Sequence, residues 1–285
     1  MQANTTKRKL KSGEIAYGTS LEDCLSPEMA VLLEAVGFDF FFIDTEHCAA
    51  DYFAIQSLCR VAKGAGITPL VRVTNGQAHL ITRALDVGAM GVIVPHVYSS
   101  QSAADIVQAI KFPPHGQRGY GLRSTTTDFH ASSAVEEIKS CNRETMTVLQ
   151  IECEAGLGCV EEIAAVDGVD ALFIGPYDLT LSMGIVEQFE HPRFWKAVER
   201  TLNACAKAGI AGGLQTSSFD MLRRARDCGA RLLMYGNDMT VLLEGYRTAL
   251  RMMKGTAGAA ARPAATKSDR AAVEMNGTVG GASSY

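Results

Sequence analysis

Between residues 14 and 254, short β-rich runs and amphipathic helical segments alternate, and this rhythm restricts the fold more than any other feature of the chain. The expected strands are EIAYGTS (14–20), FDFFFID (38–44), TPLVRV (68–73) and GVIVPHV (91–97), followed by TVLQIE (147–152), ALFIGP (171–176), IAGGLQ (210–215) and LLMYGN (232–237). Helical patterns such as SPEMAVLLEAVG and FWKAVERTLNACAKAG separate them, several closed by Gly, the residue favoured just past a helix C-terminus. Eight strands alternating with helices is the arithmetic of a (β/α)8 TIM barrel, an α/β fold in one domain. An open doubly wound sheet would have fewer strands and a Gly-rich first turn.

The expected organisation is an N-terminal arm over 1–12, a barrel over 13–254 and a tail over 255–285. The tail is dominated by Ala, Gly, Thr and Ser without an apolar period, the composition of a disordered segment. The arm carries the basic run Lys7-Arg8-Lys9-Leu10-Lys11, read as solvated. Residues 113–133 form a long loop after the fourth strand, and a loop of that length in a compact domain is often functional. A net charge of -4 without a basic patch argues against nucleic-acid and anionic-membrane partners. The absence of a long apolar run or a signal-like N-terminus points to the cytoplasm. Eight scattered cysteines without a CxxC pair fit reduced thiols.

In such barrels catalytic groups gather at the C-terminal ends of the strands. The second strand ends in Asp44-Thr45-Glu46-His47, the third carries Arg72, and the fourth ends at His96 with Asp86 shortly before it. The fifth ends in Gln150-Ile151-Glu152, and the sixth runs into Gly175-Pro176-Tyr177-Asp178. Strand side chains alternate, so Gln150 and Glu152 share the face turned to the barrel mouth while Ile151 faces the helices. Glu152 and Asp178 then either converge on a hard divalent cation, as Mg²⁺ prefers, with Mn²⁺ or Co²⁺ equally open on ligand type, or merely cap helices and pair with arginines. Arg72, the only arginine within an expected strand, is either paired with a structural carboxylate or reserved for a substrate anion. Its place among the other polar strand ends favours the substrate.

Absences narrow the chemistry. None of the ten lysines falls at a strand end, which argues against a Schiff base. No GxSxG elbow or HExxH helix is present. Two carboxylates for a cation, an arginine, and His47 oriented by Asp44 suit a 2-oxo acid held as a chelate. The cation would stabilise an enolate and His47 would carry the proton.

The motifs FDFFFIDTEH, PLVRV, RALDVGAMGVIVPHV, FPPHGQRGYG, LQIE and VDALFIGPYDL resemble the HpcH/HpaI family of class II, metal-dependent aldolases, over about residues 10–254. The resemblance implies a (β/α)8 barrel that forms pyruvate enolate at Mg²⁺ or a similar ion, with pyruvate or oxaloacetate as donor and an aldehyde or other acceptor. It also implies a homo-oligomer, a hexamer built as a trimer of dimers with the last helix exchanged. On that resemblance the metal carboxylates are Glu152 and Asp178, the histidine–aspartate dyad is His47 with Asp44, and Arg72 and Gln150 meet the pyruvate. Gly175, Pro176 and Tyr177 belong to the turn whose N–H groups, those of Tyr177 and Asp178, would bind the carboxylate. Asp86 matches an aspartate near the subunit junction. His96 and Tyr120 lean toward the macrophomate synthase branch, which decarboxylates oxaloacetate before bond formation and uses such residues on the second substrate. Glu46 receives no role. Two other readings stay open: a phosphate-ligand barrel using Gly212-Gly213 and Gly236, and a non-catalytic binding barrel.

Overall fold

The structure, a computed structural model, describes residues 1–121, 125–128 and 133–255. Eight parallel strands close into a barrel in chain order: β1 (Ala16–Leu21), β2 (Phe40–Asp44), β3 (Thr68–Arg72), β4 (Gly91–Val94), β5 (Met146–Ile151), β6 (Ala171–Ile174), β7 (Ala211–Thr216) and β8 (Leu232–Asn237). Before β1 stands α1 (Thr5–Lys11). The next helices are α2 (Glu28–Val36), α3 (Tyr52–Ala65), α4 (Ala78–Asp86), α5 (Ser100–Ile110) and α6 (Ala134–Glu144). The short α7 (Glu154–Gly158), α8 (Val160–Ala164) and α9 (Pro176–Ser182) follow, then α10 (Pro192–Ala208), α11 (Phe219–Asp227) and α12 (Asp238–Met253). Met1–Val241 form one compact unit and a second begins at Leu242, within α12. The expected disordered tail, from residue 256 on, and residues 122–124 and 129–132 of the long loop lie outside the described residues.

All eight strands expected from the sequence are present, because the two faces of each strand see different neighbours. Phe40, Phe42, Leu70, Ile93, Met146, Val148, Phe173, Leu232 and Met234 fill the barrel interior. Their alternates Phe41, Ile43, Val71, Val92, Leu149 and Ile151 pack outward among the helices. Size is balanced across the interior: a Cβ on Gly18 would stand 2.5 Å from Cζ of Phe40, so this ring requires glycine opposite it. The helices end as their sequences suggest, with left-handed Gly37, Gly66 and Gly209 following α2, α3 and α10. Among the described residues no helix is long and apolar enough to cross a membrane. The eight cysteines are unpaired, and burial pushes the Cys59 and Cys205 thiols up to about 12.

The basic N-terminal run corrects the expectation of a solvated arm. It forms α1, whose Leu10 joins the interior cluster at the barrel floor, and Asn4, Thr6 and Lys7 are buried. Asn4 is the anchor. Its Oδ1 accepts from Lys7 N at 2.9 Å as the helix cap, and its Nδ2 donates to the carbonyls of Met90 and Glu144, each at 3.1 Å. Lys7 Nζ pairs with Asp170 Oδ2 at 2.9 Å and Lys9 Nζ with Asp39 Oδ1 at 2.7 Å. The charges that made the segment look solvated are met by residues far along the chain.

Asn4→Ala removes a helix cap and takes a donor from two buried carbonyls, of which that of Met90 keeps the Met146 N–H at 3.0 Å. It is expected to lower unfolding free energy by about 2–3 kcal/mol in a urea titration. A loss below about 0.5 kcal/mol would show that α1 is not held by this residue.

Candidate active site

The alternation that fills the interior with apolar side chains turns polar in its last layer. On β2 the inward series Phe40, Phe42 ends in Asp44, and on β3 the series Leu70 ends in Arg72. On β5, Met146 and Val148 lead to Gln150 and Glu152. β2 and β3 pair with Asp44 opposite Arg72, which brings their side chains together. Arg72 Nε donates to Asp44 Oδ1 at 2.9 Å and Nη2 to Oδ2 at 2.7 Å, a two-point contact between planar groups. Burial alone would raise the Asp44 carboxyl, but the Arg72 hydrogen bonds and charge outweigh it and hold it below its ordinary value. The same partnership raises Arg72 against the lowering effect of its own burial.

A second knot lies beside the first. His96, in the turn after β4, has φ 58°, a left-handed conformation uncommon for a residue with a side chain. That turn aims its backbone N–H at Glu152 Oε1, 2.6 Å away, and places Nδ1 3.0 Å from the same oxygen. Its Nε2 lies 3.0 Å from Glu46 Oε1, and Arg72 Nη1 lies 3.3 Å from Glu46 Oε2. Glu46 therefore has a place: it ties the Arg72 knot to the Glu152 knot through His96. Burial, then the nearby Asp178 and Glu46 charges, push Glu152 up to about 7 against the lowering contacts from His96.

Of these groups Arg72 borders a cavity of about 370 Å³ at the barrel mouth, walled also by Gln150, Gly175, Asp178, Gln215 and Asn237 among others. Glu152 lies behind Gly175, where an added Cβ would stand 2.9 Å from its Oε2 and 2.7 Å from Gln150 Nε2. Glycine lets the sixth strand end close against both side chains. The buried Gln150 Oε1 has no hydrogen-bond partner among the described residues. A buried, unsatisfied amide oxygen, two neighbouring carboxylates and a carboxyl driven toward protonation fit a hard cation, whose charge would relieve all three. Among the described residues no three His, Cys, Asp or Glu side chains converge as a metal cage, so a cation here takes its remaining ligands from water or substrate.

The expected site residues divide. Asp44, Arg72, Gln150, Glu152, Gly175, Pro176, Tyr177 and Asp178 gather at the mouth, and His47 lies at its rim. The Asp44–His47 dyad is not formed: Asp44 Oδ1 and Oδ2 bond Arg72, and Oδ1 also accepts from the Glu46 N–H at 2.9 Å. The His47 side chain is 66% exposed, 3.9 Å from Glu46 Oε2. Arg72 is thus paired with a carboxylate, the reading the sequence disfavoured, although it still borders the cavity. His96 is engaged with Glu46 and Glu152 rather than free for a second substrate. Asp86 ends α4 and bonds Arg118 Nη2 at 2.6 Å, away from the cavity, and the exposed Tyr120 does not line it. Gly212 and Gly213 are packed within β7 against Cys205 and Leu232 respectively, not arranged as a phosphate loop.

Sequence reasoning missed the opposite wall, from β7, β8 and β1. Asn237 Nδ2 donates to Glu22 Oε2 at 2.7 Å, and Gln215 Nε2 to the Gly236 carbonyl at 2.7 Å and Ser20 Oγ at 2.9 Å. Asp238 Oδ2 accepts from the N–H groups of Glu22, Asp23 and Cys24, fixing the turn after β1. The signal was the same strand-end rule, extended to the three strands at which it was not applied.

A closed parallel barrel whose mouth carries paired acids, an arginine and, among the described residues, no lysine has the frame of a metal-assisted carbon–carbon lyase. The HpcH/HpaI aldolase/citrate lyase family model matches residues 24–244, and the chain belongs to that family. A hydroxypyruvate/pyruvate aldolase of Roseovarius nubinhibens is 34% identical over 247 residues, covering 87% of this chain and 95% of that protein. The crystal structure of an HpcH/HpaI aldolase from Desulfitobacterium hafniense superposes with TM-score 0.83 at 32% identity, covering 90% of this chain and 98% of that one. Macrophomate synthase shares the fold, with TM-score 0.73 at 22% identity over 90% of this chain and 91% of its own. The protein is accordingly an enzyme of carbon–carbon bond chemistry, an aldolase, and class II aldolases of this family are generally metal-dependent.

Because Glu152 is raised to about 7 from 4.5, the folded protein binds more protons than the unfolded chain between those values. Metal-free protein therefore loses stability as pH rises through that window. In chelator, Glu152→Gln is expected to match the wild type near pH 4.5 and to exceed it near pH 8 by on the order of 2–3 kcal/mol in urea unfolding. A difference that does not grow with pH would refute the burial of an uncompensated carboxylate here.

Proposed function

We propose that this aldolase makes and breaks a carbon–carbon bond to the enolate of pyruvate, with a 2-oxo acid as donor and an aldehyde as acceptor. The observation that carries the reading is the placement of Asp178, Arg72 and Gln150 around a cavity that no lysine lines among the described residues, with the buried Glu152 close behind Gly175 of its wall and within the field of Asp178. A lysine-free mouth leaves no amine for a Schiff base, whereas paired acids fit a divalent cation, Mg²⁺ first by its preference for oxygen ligands. When bound, the cation supplies Lewis-acid stabilisation of negative charge on the donor's carboxylate and ketone oxygens.

The chain's own residues do the rest. Asp44 fixes the Arg72 guanidinium, whose charge stands beside the developing enolate oxygen without having to reorganise. Gln150 presents an amide to the same donor. Tyr177 and Asp178 open α9 on its free first-turn N–H groups, which meet the donor carboxylate. His47, exposed at the rim, carries the proton of the aldol hydroxyl to and from water, without Asp44 as its partner. Glu46 and His96 hold Glu152 in place. The enolate is also the product of oxaloacetate decarboxylation, so oxaloacetate would serve as an alternative donor. Asp86 and Tyr120, standing outside this chain's cavity, would act only if a neighbouring copy receives them, as a trimer-of-dimers hexamer would allow.

Protein supplied with Mg²⁺ and oxaloacetate is expected to release pyruvate, and with pyruvate and a small aldehyde to form the aldol. Both activities would stop on chelation and be lost in Glu152→Ala. Undiminished turnover in that variant would sink the cation assignment. Arg72→Lys keeps the charge but not the planar two-point contact with Asp44, and is expected to lower kcat/KM by about 100-fold in the same assay. A change within about twofold would remove Arg72 from the chemistry.

A further inference from the structure

At the other end of the barrel, beneath the N-terminal ends of β5, β6 and β7, lies a cavity of about 670 Å³ that the aldolase chemistry does not use. This is within the size range of small-molecule sites, roughly 300–1,000 Å³. Its apolar wall includes Leu10 and Val107, and five cationic side chains border it: Lys7, Lys11, Lys111, Lys139 and Arg143. Two carboxylates, Asp167 and Asp170, stand against these five, while Arg143 is also met by Glu144 from outside the cavity, at 2.7 Å.

Two of the cations are deeply buried, Lys7 at 6% and Lys111 at 5% exposure. Their ammonium groups donate to one carbonyl oxygen, that of Thr145, each at 2.9 Å. Lys7 has a carboxylate partner in Asp170 Oδ2, an oxygen that also accepts from the Thr147 N–H at 2.9 Å. Lys111 has, besides Thr145, only the Asn142 carbonyl at 2.9 Å, and among the described residues no carboxylate pairs with it. Burial, then the charge of Lys7, push it down to about 8. Anchoring α1 to the barrel floor accounts for Lys7. It does not account for a second buried ammonium converging on the same carbonyl, because such a charge is costly without an anion.

We propose that this floor cavity binds a small molecule with a dianionic oxygen head, a phosphate or a dicarboxylate, seated between Lys7 and Lys111 with its carbon body on the apolar wall. The ligand would be the missing counter-charge, and it would join α1 to the end of α5 across the floor. It would be an effector rather than a substrate, since no group of the mouth reaches this end of the barrel.

The test is calorimetric titration of the full chain with inorganic phosphate and, separately, with succinate, against chloride at matched ionic strength. One equivalent of either anion is expected to bind. Phosphate alone would identify a phosphorylated ligand, succinate alone a dicarboxylate, and both a site selective only for the dianionic head. Lys111→Met is expected to weaken binding at least about tenfold. The doubly substituted Lys11→Gln/Lys139→Gln protein, altered only at the rim, is expected to weaken it about threefold and covers the case in which Lys111→Met fails to fold. Arg72→Lys, at the mouth, is expected to leave it unchanged. No binding of either anion to the wild type overturns the proposal. So does binding that survives the floor substitutions undiminished, or that is lost in Arg72→Lys.

Discussion

The Asp44–Arg72 pair is the constraint on which the mouth of this barrel depends. Neighbouring parallel strands place the two residues opposite each other, and both point inward because the alternation that buries Phe40, Phe42 and Leu70 continues one step further. A guanidinium at that position must find an anion, and a carboxylate at zero exposure must find a cation. Each satisfies the other with two hydrogen bonds. Asp44 gives both oxygens to Arg72, and among the described residues it makes no hydrogen bond to His47. The histidine is left at the rim, and Arg72 is left rigid with one edge toward the cavity.

From that pair the remaining polar groups follow in sequence. Arg72 reaches Glu46, Glu46 reaches His96, and His96 holds Glu152. The chain of contacts ends at a carboxyl that burial and the neighbouring Asp178 drive toward protonation. Like charges in a poorly solvated setting interact far more strongly than in water. Arg72 neutralises Asp44, whereas Glu46, Glu152 and Asp178 have no second arginine or lysine paired with them among the described residues, which retains a site for an external positive charge. That electrostatic imbalance, more than the identity of any single ligand, favours metal-assisted over amine-based enolate chemistry at this mouth.

Most of this was legible in the sequence where the cause is local. The strands were readable because inward and outward faces both had to be apolar in the core, giving the runs FFFID and TVLQI. The turn to polar residues at their ends marked the mouth. What was not legible depends on register and on distant partners. That Asp44 pairs with Arg72 is set by which residues of β2 and β3 lie opposite, and the local DTEH spacing gives no sign of it. The place of Glu46 follows from the left-handed turn at His96, which nothing in VPHV announces. Lys7-Arg8-Lys9-Leu10-Lys11 looked solvated because its partners, Asp39, Glu144 and Asp170, lie tens of residues or more away.

The same reasoning explains why the two ends of the barrel differ in sign. The apolar interior, closed by Leu10 below and by the Phe42 and Phe173 layer above, carries no charge of its own. Polar groups are therefore confined to the strand termini, where either water or a partner residue can meet them. At the C-terminal ends the inward positions are held by acids, amides and the paired Arg72, and at the N-terminal ends α1 brings lysines against the loops that lead into β5 and β6. Leu10 shares α1 with Lys7 and Lys11, so the segment that seals the hydrophobic interior also brings two of the five floor cations, and the end of α5 and α6 bring the others. The acidic mouth remains separated from those cations by the apolar core.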